Sequence, residues 1–240
     1  MSMSNHFFRF KQFTIYQDKC AMKVCTDACL FGAWLAKISL PEEANPLDIG
    51  TGTGLLSLMV AQAFPGMMID AVEIDLSSAG QATENFTASP WKERLHLIQA
   101  DVKEYAFSKK YSFIFSNPPF FENDLQSPDE KRNIALHGDA LDLGGLIAAV
   151  KNNLAEDGMF AVLLPYHRSE YFEKLCLSND FYLKEKVLVK QTPAHSYFRA
   201  MLLFSAKPAT ATISEITIRD ERNEYSASFA DLLKCYYLNL

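Results

Sequence analysis

Strand-like and helix-like segments alternate along the middle of this 240-residue chain, and this alternation constrains the fold more than any other feature. Short apolar runs typical of buried strands are separated by segments with apolar residues at helical spacing. The pattern favours a parallel sheet with helices on both faces and right-handed crossovers. The predicted strands are 46–49, 68–73, 95–99, 111–115, 159–164, 181–189, 197–205 and 213–218. The predicted helices are 28–37, 55–64, 77–87, 143–154, 169–177 and 227–238.

Both ends of the chain carry further local signals. Partial alternation over residues 7–16 predicts a hairpin or an edge strand. Thr26 and Asp27 are typical N-cap residues, so they predict the start of the helix that follows. The strands predicted at 181–189 and 197–205 are expected to pair as a hairpin. The segment after Lys207 carries no motif that we can assign.

Composition narrows the class of protein. A net charge of −6 disfavours a protein that binds nucleic acid by bulk charge, although a local basic patch stays compatible with it. Five cysteines, an odd number without a zinc-ligand spacing, predict reduced thiols and no metal site. The chain shows no apolar stretch of membrane-spanning length and no signal-peptide pattern at its start, so we expect a cytoplasmic protein without a membrane partner.

A glycine-rich loop, Asp48-Ile49-Gly50-Thr51-Gly52-Thr53-Gly54, joins the first strand of the alternating region to its helix. Glycine lets the backbone turn tightly and come close to a ligand. A dinucleotide fingerprint, G-x-G-x-x-G, fails here because Leu55 and Ser57 stand where its third glycine would fall. The spacing therefore favours a nucleoside cofactor without a pyrophosphate and disfavours a nicotinamide oxidoreductase.

Two acidic residues follow the next strands along the chain. Glu73 ends the second strand, where a carboxylate can bind the hydroxyl pair of a ribose. Asp101 comes just after the third strand, where it can accept a hydrogen bond from an adenine amino group. Ligands of such sheets bind beyond the carboxyl ends of the strands, so these residues and the glycine loop are expected to share one site.

The stretch Ser116-Asn117-Pro118-Pro119-Phe120 is unsuited to continuing the strand before it, because proline has no N–H to donate and a fixed φ. Its rigid loop offers two hydrogen-bond acceptors, the Asn117 side-chain oxygen and the Pro118 carbonyl. Phe120 adds a flat apolar face. The set suits a planar group that bears an NH2, such as a nucleobase or an amide. An ordinary tight turn is the alternative interpretation.

These motifs together resemble the class I S-adenosylmethionine-dependent methyltransferases that modify exocyclic amino groups. Further segments resemble the bacterial tRNA1(Val) adenine-N(6) methyltransferase family, with the similarity running from about Arg9 to about Phe204. They are Phe10-Lys11-Gln12-Phe13-Thr14-Ile15, Cys20-Ala21-Met22-Lys23-Val24-Cys25-Thr26-Asp27-Ala28, Leu30-Phe31-Gly32-Ala33-Trp34 and His195-Ser196-Tyr197-Phe198-Arg199-Ala200. One departure is Ser112, which stands where related enzymes often carry an acidic residue.

The resemblance implies a Rossmann-like α/β fold with a seven-stranded, mostly parallel sheet, helices on both faces and an antiparallel hairpin at the edge. Residues 1–240 would form a single methyltransferase domain, with 1–40 as a hairpin and helix extension over the cofactor and RNA side. The implied reaction is direct methylation of adenine 37 in valine tRNA, with S-adenosylmethionine as cofactor, no metal, and a monomeric enzyme whose partner is tRNA.

The resemblance also implies roles for individual residues. The catalytic residues would be Asn117, Pro118 and Phe120. The cofactor-binding residues would be Asp48, Gly50, Gly52, Gly54, Glu73, Asp101 and Asn117. Candidate tRNA-binding residues are Lys11, Lys23 and Arg199.

Several alternatives stay open at this level. A protein-glutamine methyltransferase presents the same chemistry, but too few residues precede Asp48 for the N-terminal helical domain that such enzymes usually carry. Methyltransferases of another rRNA or DNA amino group remain possible, because the loop recognises an NH2 and not the polymer around it. A non-enzymatic RNA-binding protein that kept the fold is disfavoured by the complete Asn-Pro-Pro-Phe sequence.

Overall fold

A computed structural model describes residues 6–20, 23–119 and 142–240. In these ranges eight strands form one twisted sheet with helices on both faces, and a separate two-stranded hairpin precedes the sheet in the chain. The strands are β1 Phe7–Arg9, β2 Thr14–Tyr16, β3 Pro46–Ile49, β4 Ile69–Glu73, β5 Leu95–Gln99, β6 Tyr111–Ser116, β7 Leu154–Pro165, β8 Tyr182–Lys190, β9 Tyr197–Ser205 and β10 Thr212–Thr217. The helices are α1 Thr26–Leu35, α2 Leu55–Ala63, α3 Leu76–Thr87, α4 Leu143–Asn153, α5 Tyr166–Leu177 and α6 Ala227–Leu233.

The order of strands across the large sheet is β10-β8-β9-β7-β6-β3-β4-β5. Strands β7, β6, β3, β4 and β5 are parallel neighbours, as the alternation of strands and helices predicted. Strand β9 runs antiparallel to both β7 and β8, which confirms the predicted hairpin.

The residue pattern predicted eight strands, including one at 213–218, and the sheet has eight, one more than the seven that the resemblance implies. The hairpin lies one strand in from the edge. Strand β10 pairs in parallel with the outer side of β8, so the sheet has eight strands and the hairpin lies inside it. The physical reason is that the outer side of β8 would otherwise present a row of unpaired backbone groups. The returning chain satisfies these groups.

Apolar residues of the strands divide between the two faces of the sheet with a period of two. In β6, Phe113 and Phe115 belong to one buried cluster and Ile114 to the other. The face with Phe113 and Phe115 is covered by α1, α2, α3, α6 and the N-terminal hairpin. The opposite face is covered by α4 and α5.

Helix α1 is buried from Ala28 to Leu35, as expected for a helix that is apolar on all sides. It begins two residues earlier than predicted, with Cys25 at the N-cap position, and it ends at Leu35. The prediction that Thr26 and Asp27 cap it is therefore wrong, because both lie within its first turn. The final helix is also shorter than predicted and ends at Leu233.

The N-terminal hairpin is fastened to α3 through one buried amide. Asn85 Nδ2 donates to the carbonyl of Tyr16 at 2.9 Å, and Asn85 Oδ1 accepts from the Tyr16 N–H at 2.9 Å. The same Nδ2 donates to the carbonyl of Thr53 at 2.8 Å. This side chain thus connects the hairpin directly to the glycine loop.

Strands β3 to β8, all parallel to one another, end at one edge of the sheet, which we call the carboxyl edge. The antiparallel strand β9 begins there, with Arg199 opposite Pro165 of β7. None of the helices in the described ranges has the length and apolarity needed to cross a membrane.

Candidate active site

The glycine loop after β3 adopts backbone angles that favour glycine. Gly50, Gly52 and Gly54 have φ values of 70°, 56° and 84°, a region that other residues enter only with strain. A Cβ added at Gly50 or Gly52 would meet no atom within 4 Å, so open space lies over both. A Cβ at Gly54 would lie 2.4 Å from the ring of Phe86. Gly50 and Gly52 thus leave room for a ligand, whereas Gly54 also allows the loop to pack on α3.

Asp48 is fully buried beneath this loop. Its Oδ2 accepts hydrogen bonds from the hydroxyls of Thr51 and Ser57, each at 2.7 Å. Its Oδ1 is buried without a hydrogen-bond partner among the described residues. Burial raises the pKa of the Asp48 carboxyl to about 6, although the two hydroxyls act against that shift. In the structure Asp48 therefore organises the loop from below, and its predicted contact with the cofactor stays a prediction.

The raised pKa of Asp48 predicts a specific pH dependence of stability. Between the ordinary pKa of 3.8 and the raised value of about 6, the folded protein holds a proton that the unfolded chain has released. The contribution of this carboxyl to the free energy of unfolding is thus largest below the lower value. It falls by about 2–3 kcal/mol as the pH rises through the higher one.

Asp48→Asn should remove this dependence, because asparagine does not titrate. Urea unfolding of both proteins from about pH 4 to pH 7 checks it. The stability of the native protein relative to the variant should decline over that range and level off above it. Two curves that run parallel would contradict the burial argument.

Glu73 and Asp101 both lie at the carboxyl edge, where β4 and β5 end side by side. Glu73 Oε2 accepts from the N–H of Gly52 at 2.8 Å, and Oε1 accepts from the N–H of Asp75 at 3.0 Å. The N–H of Ala100 donates to the Glu73 carbonyl at 3.0 Å, which keeps the ends of β4 and β5 adjacent. The Asp101 side chain accepts from the N–H of Lys103 at 2.9 Å. Glu73 thus supports the glycine loop, and a carboxylate has further lone pairs for a ligand.

The residue directly after Glu73 has an exposed apolar side chain, a feature that sequence reasoning missed. Ile74 directly follows β4 and is 49% exposed. An exposed isoleucine next to the Glu73 carboxylate in the chain offers an apolar face to a planar ring. The available signal was a large apolar residue one position beyond a buried strand.

Asn117 follows β6 at the level of the glycine loop. Ile49 of β3 is paired with Ser116 of β6. Gly50 and Asn117 therefore leave neighbouring strands side by side, roughly 5 Å apart across the sheet. The Ser116 hydroxyl donates to the Ile49 carbonyl at 2.8 Å and fastens the two strand ends together. The sequence pattern did not predict this contact.

The carboxamide of Asn117 is partly buried, and no other described residue forms a hydrogen bond with it. Pro118 is buried, and Pro119 is exposed. The fixed ring of a buried proline restrains the backbone beside the amide. Phe120, the third predicted catalytic residue, lies outside the described residues.

Each of the three cations predicted to bind tRNA has a partner within the protein. Lys11 Nζ donates to the carbonyl of Lys234 at 2.6 Å, next to the C-terminal helix. The Lys23 ammonium donates to the carbonyl of Gln17. Arg199 lies at the carboxyl edge, where its Nε is 2.7 Å from Asp27 Oδ2. Its partner Asp27, at the start of α1, had been predicted only as a helix cap.

Comparison with known proteins shows which family the chain resembles. Residues 31–164 match the family described as "Methyltransferase small domain". In overall structure the chain is similar to a predicted O-methyltransferase from Agrobacterium tumefaciens. The TM-score is 0.69 with 15% identity, over 89% of this chain and 100% of that one. That identity supports the fold alone, which is the Rossmann-like fold of class I methyltransferases.

Relatives of higher identity extend over nearly the whole chain. The tRNA1(Val) (adenine(37)-N6)-methyltransferase of Dyadobacter fermentans is 41% identical over 238 residues, which is 98% of each chain. The protein of the same name from Bacteroides thetaiotaomicron is 38% identical, over 99% of this chain and 100% of its own. With this similarity and the family match, the chain belongs to the family of tRNA1(Val) (adenine(37)-N6)-methyltransferases.

Proposed function

We propose that this protein transfers a methyl group from S-adenosylmethionine to the exocyclic amino group of adenine 37 in valine tRNA. The observation that carries the proposal is the pairing of Ile49 with Ser116, which sets the glycine loop beside Asn117. One loop offers open space for a methyl donor, and the other offers an acceptor for an amine. The names of the relatives give the substrate RNA, tRNA1(Val), and the methylated position, adenine 37.

The residues at the carboxyl edge fit this cofactor. The open space above Gly50 and Gly52 suits its methionine portion. Glu73 has lone pairs for the ribose hydroxyls, while Ile74 and Asp101 offer an apolar face and an acceptor for the adenine. S-adenosylmethionine supplies a methyl group on a positively charged sulfur, which leaves as a neutral thioether.

Asn117 and Pro118 address the difficult part of the reaction, the weak nucleophile. The lone pair of an adenine amino group is delocalised into the ring. Hydrogen bonds from the NH2 to the Asn117 oxygen and the Pro118 carbonyl favour a more tetrahedral nitrogen and orient its lone pair. They also stabilise the positive charge that develops as the N–C bond forms. Water takes the released proton, so no general base is required.

The chemistry needs no covalent enzyme intermediate, and the buried cysteines are poorly suited to forming one. Burial raises the pKa of the Cys29 thiol to about 12, and it raises the pKa of Cys176 as well. These thiols stay protonated at neutral pH, whereas the nucleophilic form of cysteine is the thiolate.

A tRNA-modifying enzyme works where tRNA is, so we place the protein in the cytoplasm.

Transfer of a radioactive methyl group tests the substrate. The protein is incubated with methyl-labelled S-adenosylmethionine and, separately, with total tRNA, rRNA, DNA and protein release factors. We expect label in tRNA, recovered after digestion as N(6)-methyladenosine. A valine tRNA transcript with guanine in place of adenine 37 should take up none. Label that appears only in rRNA, DNA or protein would overturn the proposal.

A further inference from the structure

Two tyrosines and a lysine meet at the carboxyl edge, beyond the half of the sheet that holds the cofactor residues. Tyr166 is the first residue of α5, Tyr197 the first of β9 and Lys190 the last of β8. The two rings have centroids 5.2 Å apart and are tilted by 48°. Lys190 Nζ lies 4.6 Å from the centroid of the Tyr197 ring. We call these three residues the tyrosine cluster.

The Tyr197 side chain of the tyrosine cluster is anchored to β10. The Tyr197 hydroxyl donates to Glu215 Oε2 at 2.5 Å, and Lys190 Nζ is 3.4 Å from the same oxygen. These contacts anchor the hydroxyl and the cation to β10, so binding needs little further ordering of this ring. The Tyr166 ring leans against it and is 39% exposed.

The tyrosine cluster lies close to the reacting position. Ser116 of β6 is paired with Val162 of β7, so Asn117 follows at the level of Leu163. Tyr166 follows the end of β7, three residues after Leu163. That separation is about 10 Å along the strands and about 5 Å across them. At this distance, a nucleotide that flanks a base bound at Asn117 can reach the tyrosine cluster.

We propose that the tyrosine cluster is a stacking platform for a nucleobase next to the target adenine, with Tyr166 as its exposed face. The inference rests on the proposed function. Unpaired bases of RNA loops are bound by stacking on aromatic side chains. The positive charge of Lys190 is opposed by Glu215, so the platform acts by stacking more than by attracting phosphate. Affinity should therefore depend on the ring, with little effect of Tyr166 on salt dependence.

Direct binding of tRNA tests the platform separately from methyl transfer. Fluorescence anisotropy gives the Kd of a labelled valine tRNA transcript for the native protein and three variants. Tyr166→Ala should weaken binding about tenfold, the loss expected for one stacked base. Tyr166→Phe keeps the ring and should stay within about twofold. The matched control is Tyr171→Ala on the same helix, 59% exposed, which should also stay within about twofold.

A second measurement reports stacking itself. A valine tRNA anticodon stem-loop carrying 2-aminopurine beside adenine 37 should lose fluorescence on binding the native protein. It should keep that fluorescence with Tyr166→Ala at saturating protein. The slope of log Kd against log salt should be the same for both proteins. Thermal unfolding and calorimetry with S-adenosylmethionine verify that each variant is folded and binds the cofactor.

The outcomes separate the two proposals. Unchanged binding by Tyr166→Ala, or an equal loss in Tyr171→Ala, overturns the platform even where the native protein methylates tRNA. Native protein that binds tRNA through Tyr166 but transfers no methyl group supports the platform and overturns the proposed reaction. Native protein that does not bind tRNA overturns the platform directly.

Discussion

Asn117→Ala should lower kcat for methyl transfer by about 10²–10³-fold, the loss typical of removing one oriented polar group at the reacting centre. The amide follows a strand end that the Ser116 hydroxyl fastens to β3, and Pro118 restrains the backbone beside it. The alanine variant keeps the Pro118 carbonyl and the glycine loop. Its affinity for S-adenosylmethionine should therefore stay within a few-fold of the native value.

Single-turnover transfer to tRNA and calorimetry with the cofactor measure the two effects separately. The matched control is Asn45→Ala, a residue just before β3 that forms hydrogen bonds with the opposite end of β6. There Asn45 Oδ1 accepts from the N–H of Ser112 at 2.9 Å, and the Ser112 hydroxyl accepts from the N–H of Asn45 at 3.0 Å. That variant should lose stability but keep kcat. A loss of cofactor binding in Asn117→Ala would show that the two loops do not divide the roles as proposed.

Glu73→Ala should raise the Kd for S-adenosylmethionine by about 100-fold or more. Hydrogen bonds to a charged group contribute about 1.5–3 kcal/mol each, and the ribose would lose a pair of them. The substitution also leaves the N–H of Gly52 without its carboxylate acceptor, so the glycine loop loses a support. At saturating cofactor, kcat should change much less than the affinity, because Asn117 is untouched.

Asp75→Ala is the control, two residues away at the start of α3. Asp75 Oδ1 accepts from the N–H of Ser78 at 2.8 Å and caps the helix, so its loss should cost about 1 kcal/mol of stability. The cofactor Kd should hardly change. Calorimetry of both variants checks the comparison. Equal weakening in both would mean that helix α3, and not the Glu73 carboxylate, determines affinity.

The predicted strands and helices agree best with the observed ones where the local sequence pattern follows the burial of the segment. Strands β3, β5 and β9 match their predicted bounds. Strand β7 starts at Leu154, five residues before its prediction, because it includes exposed polar positions that an apolar pattern does not detect. The glycine loop and the loop at Asn117 could be predicted because each follows a strand-like segment with residues that cannot continue a sheet.

Local sequence by itself determined that parallel strands alternate with helices and that a glycine loop, Glu73, Asp101 and Asn117 stand at their carboxyl ends. Only the tertiary structure decided which distant residues meet. Asp27 pairs with Arg199, 172 positions away, and Asn85 joins the N-terminal hairpin to the glycine loop. Strand β10 extends the sheet, and Tyr166 meets Tyr197. A local pattern reports the burial of one segment, whereas these contacts depend on how buried faces of separate segments pack together.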